Sequence, residues 1–228
     1  MSSDDAPRVA LVAAETFLRV ARETRVWRVD ELSLAPGELI HAVSSGLADE
    51  GISSTLRTPE AINRTEGPPP GVTGSALSVH VPFGRLTALQ WQALTQEAVG
   101  ELRLTPWRGV ILPTVPAERL AALAAVGLVT DPASPWLHVG ACIGRPGCAK
   151  SLTDVRADAA DTLGTVGSRG VPLYWSGCER RCGHPRGDRI DVVALPDGGY
   201  QLTATAQGRT APLADPSDLA TALAAITS

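Results

Sequence analysis

Ala141-Cys142-Ile143-Gly144-Arg145-Pro146-Gly147-Cys148 and Ser176-Gly177-Cys178-Glu179-Arg180-Arg181-Cys182-Gly183-His184-Pro185 hold every cysteine of the chain. The two pairs, Cys-x5-Cys and Cys-x3-Cys, are separated by 29 residues. A [4Fe-4S] cluster needs four thiolates converging on one cuboid, and the Gly and Pro residues beside each pair let the backbone turn and come close to the metal. The pattern therefore points to iron-sulfur chemistry, with Cys142, Cys148, Cys178 and Cys182 as ligands. Three other uses of the thiols stay open. Disulfides need an oxidising compartment, and no signal sequence supports one: Asp4 and Asp5 replace a basic segment, and the apolar run from Val9 to Ala14 ends at Glu15. Structural zinc pairs its ligands two to four residues apart, which fits the second pair and not the first. Unconnected buried thiols would leave the flanking Gly and Pro residues without a purpose.

Outward from these strings, residues 136–139 read as a strand delivering Cys142 to a loop, and Val171 to Trp175 as one delivering Cys178. A helix is predicted from Ser151, with Ser151 and Asp154 as its capping signal and Leu152, Val155, Ala159 and Leu163 as its apolar stripe. Its N-terminus would turn unpaired N–H groups toward a negatively charged cluster. A helical turn over 178–182 would put Cys178 and Cys182 on one face. Asp191 to Leu195 and Tyr200 to Ala204 read as a hairpin around Asp197-Gly198-Gly199, followed by a closing helix over 216–226.

Upstream, Ala76 to Val81 reads as a strand, 87–99 as a helix, 101–104 and 109–112 as strands, and 117–125 as a helix. That order predicts an α/β (α+β) chain containing a small ferredoxin-like unit. Helices are predicted over 8–23 and 36–48, a short strand at Val26-Trp27-Arg28-Val29, and a Pro/Gly linker over 66–71. The expected organisation is an N-terminal segment 1–72, a ferredoxin-like half-domain 73–130 and a cluster-binding domain 131–228. A formal net charge of −4 offers no footprint for nucleic acid. No run approaches the ~18 apolar residues of a membrane span, so the expected location is the cytoplasm.

The spacing and its flanks resemble the nitrite and sulfite reductase superfamily and, within it, precorrin-3B synthase. The resemblance rests on Ser75-Ala76-Leu77-Ser78-Val79-His80-Val81-Pro82-Phe83-Gly84-Arg85-Leu86, on Glu101-Leu102-Arg103-Leu104-Thr105-Pro106-Trp107-Arg108 and on the two cysteine strings, about the last two-thirds of the chain. It implies a ferredoxin-like unit followed by a nitrite/sulfite reductase-type cluster domain, and an oxidoreductase of cobalamin biosynthesis. That enzyme hydroxylates precorrin-3A with molecular oxygen at a [4Fe-4S] cluster, so the tetrapyrrole is its substrate and siroheme is not favoured as a cofactor. Two alternatives follow from the same likeness: a siroheme-dependent nitrite or sulfite reductase with Cys182 bridging cluster and haem, or a non-catalytic iron-sulfur subunit that relays electrons. The family builds such proteins from two similar halves. This chain reads as the second, to be completed by a homodimer or a separately encoded partner half, with an electron donor still to be found.

A precorrin carries many carboxylates, and guanidinium holds a carboxylate bidentately. Arg85, Arg103 and Arg108 lie in the family strings and are the candidates to bind the macrocycle, with solvent-facing charge as the alternative reading. Arg103 alternates with Leu102 and Leu104, so it should project from the opposite strand face. Trp107 reads first as a core residue and second as a flank for the macrocycle. His184 would donate to a cluster sulfur or pack under it, and Lys150 reads as a surface residue at a helix start. His41, His80 and His138 form no metal triad visible in sequence.

Overall fold

The computed structural model describes residues 3–22, 26, 28–35, 37–56, 67–164 and 170–227. The chain divides into two compact units, Met1–Arg64 and Thr65–Ser228. In the first, helices α1 (Ala6–Val20) and α2 (Glu38–Asp49) bury Val12 and Leu47 with Ile52 between them. Gly46 permits the close approach, because a Cβ there would stand 3.0 Å from Val12 Cγ1. Residues 23 and 36, at the ends of the predicted helices, lie outside the described residues. The strand predicted at 26–29 is not formed: Val29–Glu31 is a 3-10 turn, in which the Glu31 carboxylate accepts from the Arg28 N–H. That local bond uses a donor that a strand would need for its ladder. Trp27 lies outside the described residues.

The second unit contains two sheets. Strands β1 (Gly71–Thr73), β2 (Ala76–His80), β3 (Arg103–Leu104) and β4 (Gly109–Leu112) form an antiparallel sheet in the order β1-β2-β4-β3. Because β2 and β3 both run antiparallel to β4, they are parallel to each other, and α3 (Ala88–Glu97) crosses between them. This is the split β-α-β arrangement of a ferredoxin-like fold. Period-two alternation puts Leu77, Val79, Val110 and Leu112 into one core with Leu94 of α3 and Leu123 of α4 (Leu120–Ala125). Thr87 and Gln90 close the start of α3 with a reciprocal capping box. The predicted linker ends earlier than expected, since Gly71 opens β1 at φ +121°, a value open to glycine. Glu66 lies outside the described residues.

Strands β5 (Val139–Ala141), β6 (Leu173–Ser176), β7 (Ile190–Ala194), β8 (Tyr200–Ala204) and β9 (Arg209–Leu213) follow one another across the second sheet. The first three are parallel and the last three antiparallel. The strand predicted over 136–139 is mostly a 3-10 turn, Pro135–His138, and pairing begins at Val139. Pro135 opens that turn with its fixed φ. β9 escaped the sequence reading because Pro212 interrupts it, yet a proline is tolerated on an edge strand. Trp175, Val192 and Leu202 form a core with Val155 and Ala159 of α5 (Val155–Asp161) and with Leu219 and Ile226 of α6 (Leu219–Thr227). The whole is the mixed α/β fold expected. Among the described residues no helix is long and apolar enough to cross a membrane.

Candidate functional site

Cys142 follows β5 and Cys178 lies two residues beyond β6, so both pairs start at the carboxyl ends of adjacent parallel strands. Ligand sites of open parallel sheets form at that end. Two contacts tie the loops together: Gly177 N–H donates to Cys142 Sγ at 3.3 Å, and Leu152 N–H donates to the Gly177 carbonyl at 2.8 Å. A Cβ on Gly177 would overlap Ser151 Oγ, so only glycine allows this approach. Within the first loop, Cys148 N–H donates to Gly144 O at 2.8 Å. Arg145 Nε holds Ser151 O at 2.8 Å and Arg156 Nε holds Cys142 O at 3.0 Å.

All four cysteines are free thiols, Cys182 exposed and the others partly buried, so no disulfide links them. Among the described residues no three His, Cys, Asp or Glu side chains close on a point that would hold one metal ion. A cuboidal cluster instead spreads its thiolates over separate corners. The donor set suits such a group: four thiols on two tied loops, and a buried hydroxyl without a hydrogen-bond partner, Ser176 Oγ, two residues before Cys178.

The helix predicted from Ser151 starts four residues later. Ser151 and Thr153 spend their backbone groups on the cysteine loops, and Asp154 caps α5 by accepting from Arg156 N and Ala157 N. A carboxylate thus occupies the N-terminus that was to face the cluster, and two of its free N–H groups are already taken. The predicted helical turn over Cys178 and Cys182 is also absent. A tighter turn stands there, closed by Arg181 N–H to Cys178 O at 3.2 Å, with Arg181 in the left-handed region at φ +47°.

Three side chains that the sequence did not single out hold this turn. Tyr174 OH donates to Cys182 O at 2.6 Å. Asp191, with no exposed surface, accepts from Arg181 Nη1 at 3.2 Å and from Arg189 Nε at 2.7 Å. Arg189 also donates to Pro185 O and Gly187 O, tying down the segment after Cys182. The signal for Asp191 was a lone carboxylate inside the apolar strand run Ile190-Asp191-Val192-Val193. Tyr174 is pushed up from 10.0 to about 12, by burial first and then by Cys142, with Cys182 adding to the effect; it remains a phenol donor.

Beside Tyr174 lies a cleft of about 300 Å³ lined by His80, Arg108, His138, Arg186 and Asp188. Arg108 enters it at φ +59° and runs past two glycines: a Cβ on Gly84 would stand 3.3 Å from its Cγ, and one on Gly140 would stand 3.2 Å from its Nη1. Burial, then the Arg108 guanidinium, lowers His80 from 6.5 to about 4 against a hydrogen bond to the Trp107 backbone, and Nε2 is buried without a partner.

Arg108 is the one sequence-predicted arginine in this cleft. Arg85 is exposed after the 3-10 turn Pro82–Gly84, and Arg103 is held by Glu101 at 2.6 Å on the sheet edge. The expected alternation holds only in part: Leu102 packs partly buried against the core, while Leu104 is 69% exposed. Trp107 is not in the core. It is 47% exposed, and a Cβ on Gly67 would meet its ring. Lys150 is exposed, and His184 Nδ1 lies 3.2 Å from Pro185 O.

The nitrite/sulfite reductase ferredoxin-like half domain matches residues 70–126. The chloroplastic ferredoxin–nitrite reductase of Zea mays is 33% identical over 158 residues, which cover 62% of this chain and 26% of that protein. That of Betula pendula is 32% identical over 123 residues, covering 48% and 21%. The sulfite reductase (NADPH) hemoprotein beta-component of Xylella fastidiosa strain M23 is 28% identical over 149 residues, covering 55% and 26%. The chain thus matches about a quarter of the length of these curated relatives. Among solved structures, the Mycobacterium tuberculosis NirA protein is similar in fold, with a TM-score of 0.56 at 18% identity over 81% of this chain and 41% of that one. The relatives are reductases of nitrite and sulfite, and the expected closeness to precorrin-3B synthase gains no support from them.

Proposed function

We propose that the chain holds a [4Fe-4S] cluster on Cys142, Cys148, Cys178 and Cys182 and is the cluster-bearing part of a nitrite or sulfite reductase-type oxidoreductase. The observation that carries this reading is the pairing of the two cysteine loops at the ends of β5 and β6 through Gly177 N–H and Cys142 Sγ. When bound, the cluster supplies one-electron transfer. The protein's own part is to fix the thiols: Arg156 and Arg145 fasten the first loop, and Tyr174, Asp191 and Arg189 fasten the second. Siroheme is the tetrapyrrole that reductases of this type use. In the cleft beside the Cys182 loop, Arg108 suits a tetrapyrrole carboxylate, and the neutral state of His80 leaves that arginine as the stronger cation. Completion of that site by a second half, from another copy of this chain or a separate polypeptide, is part of the proposal.

The relatives favour nitrite or sulfite reduction over oxygen-dependent hydroxylation of precorrin-3A, which rests on the motif resemblance alone. Anaerobic purification and reconstitution, with iron, acid-labile sulfide, zinc and the visible spectrum measured together, tests the reading. About four iron and four sulfide per chain, lost in Cys178→Ala and Cys182→Ala, are expected. Zinc without sulfide, or no metal at all, overturns the cluster. Siroheme added to the loaded protein separates the two chemistries. Haem bands that persist through gel filtration, with nitrite- or sulfite-dependent oxidation of a reduced viologen, support the reductase; binding of precorrin-3A with no retention of siroheme overturns it.

A further inference from the structure

Ser176 ends β6, two residues before Cys178, and is fully buried. Its hydroxyl is one of the few buried side-chain groups in the described residues with no hydrogen-bond partner. Leaving a buried donor without an acceptor is costly, so such a group usually has a partner. The strand register states which way this one faces. Trp175 pairs with Ala141 and Val192 and points into the core, against Tyr200 at 4.9 Å. Side chains alternate along a strand, so Ser176 projects from the opposite face, the one that carries Tyr174. That is the face over which Tyr174 reaches the Cys182 loop, and where Cys142 and Cys182 both bear on the tyrosine electrostatically. The next residue, Gly177, already gives its N–H to Cys142 Sγ at 3.3 Å.

We propose that Ser176 Oγ–H is a hydrogen-bond donor to the sulfur shell of the cluster, either an inorganic sulfide or a ligating thiolate, and that it helps to set the reduction potential. The proposal rests on the cluster reading above. The donor set is then a consecutive pair, the Ser176 hydroxyl and the Gly177 amide, on the strand end that delivers Cys178. A hydrogen bond to cluster sulfur favours the more negative, reduced state and raises the potential. Trp175 Nε1, the other unpartnered buried donor of this strand, serves as the internal contrast because it faces the apolar core.

The test is a potentiometric titration of the reconstituted full chain, followed by electron paramagnetic resonance, on wild type, Ser176→Ala and the pair Ser176→Thr and Ser176→Val. Thr and Val have the same shape and differ only in the hydroxyl, so they isolate the donor even if the Ala variant loads poorly. The expected result is wild-type iron and sulfide content in Ser176→Ala with a midpoint shifted to lower potential. Thr should sit above Val, and an exchangeable deuteron coupling seen in D2O should vanish in Ala and Val. Equal midpoints for Thr and Val, or an unchanged midpoint and deuteron coupling in a fully loaded Ser176→Ala, would overturn the role of Ser176 while leaving the cluster in place. Failure of the unaltered chain to take up iron and sulfide would instead overturn the cluster reading, and this proposal with it.

Discussion

Tyr174 and Asp191 are register partners across β6 and β7, and each sends its polar end to the same turn, Tyr174 to the Cys182 carbonyl and Asp191 to the Arg181 guanidinium. The Cys-x3-Cys segment has no helix to stiffen it. Its geometry comes from this pair of anchors on the sheet face beneath, and Arg181 at φ +47° is the strained point between them.

Tyr174→Phe removes one anchor and leaves the Cys182 carbonyl without its donor. A loss of about 1 kcal/mol in urea unfolding is expected, together with faster loss of iron to a chelator. The folded phenol titrates near 12 against 10.0 unfolded, so the stability it contributes is fully present below pH 10 and is lost as pH rises toward 12. The Phe variant should lack that alkaline decline.

Asp191→Ala should be the more damaging change. It strands Arg189, 13% exposed, and frees Arg181, which is 39% exposed and therefore partly solvated. Breaking a buried pair costs about 3–5 kcal/mol, and the partial exposure of Arg181 lowers the expectation to about 2–4 kcal/mol. Asp191→Asn, which keeps the acceptor oxygen, should lose less. Equal loss in the two variants would show that the charge, and not the shape or the remaining acceptor oxygen, matters here.

Gly177→Ala pushes a methyl group into Ser151 and should separate the two cysteine loops. Overpacking of this kind costs about 1–3 kcal/mol, and the iron content after reconstitution should fall with it. Adding Ser151→Gly removes the colliding atoms, so the double variant should recover part of both losses. A double variant no better than Gly177→Ala would place the damage elsewhere.

His80 gives the protein an acid sensitivity. Its folded value of about 4 lies below the unfolded 6.5, so the unfolded chain takes the proton first and stability falls as pH drops from 6.5 toward 4. The expected contribution is about 1–3 kcal/mol across that window. It is read as the difference in slope between wild type and His80→Asn when unfolding free energy is measured from pH 7 to 4.5.

Much of the chain is legible one segment at a time. Gly109–Leu112, an apolar run, and Tyr200–Ala204, an alternating one, fold within the bounds their pattern suggests, and Thr87 with Gln90 marks the start of α3. The errors gather where a segment spends its hydrogen bonds on distant partners. Ser151 to Asp154 carries a good helix-start pattern, yet Leu152 N–H goes to Gly177 O and Thr153 O accepts from Ser151 Oγ and Arg145 N–H, so the helix waits for Asp154. Residues 136–139 look strand-like, but Pro135 sets a turn first.

The sequence alone determined the chemistry on offer: four cysteines in two short pairs among Gly and Pro, a donor set that points to an iron-sulfur cluster and leaves disulfides and zinc open. It also determined the alternation that makes the two sheets. Which groups would surround the thiols was decided only by tertiary structure. Ser176, Tyr174 and Asp191 lie on one sheet face because β6 and β7 pair in a particular register, and Arg108 reaches the cleft beside Tyr174 from the loop before β4, past Gly84 and Gly140. Register and close approach depend on contacts between residues far apart in the chain, and a local pattern carries no record of them.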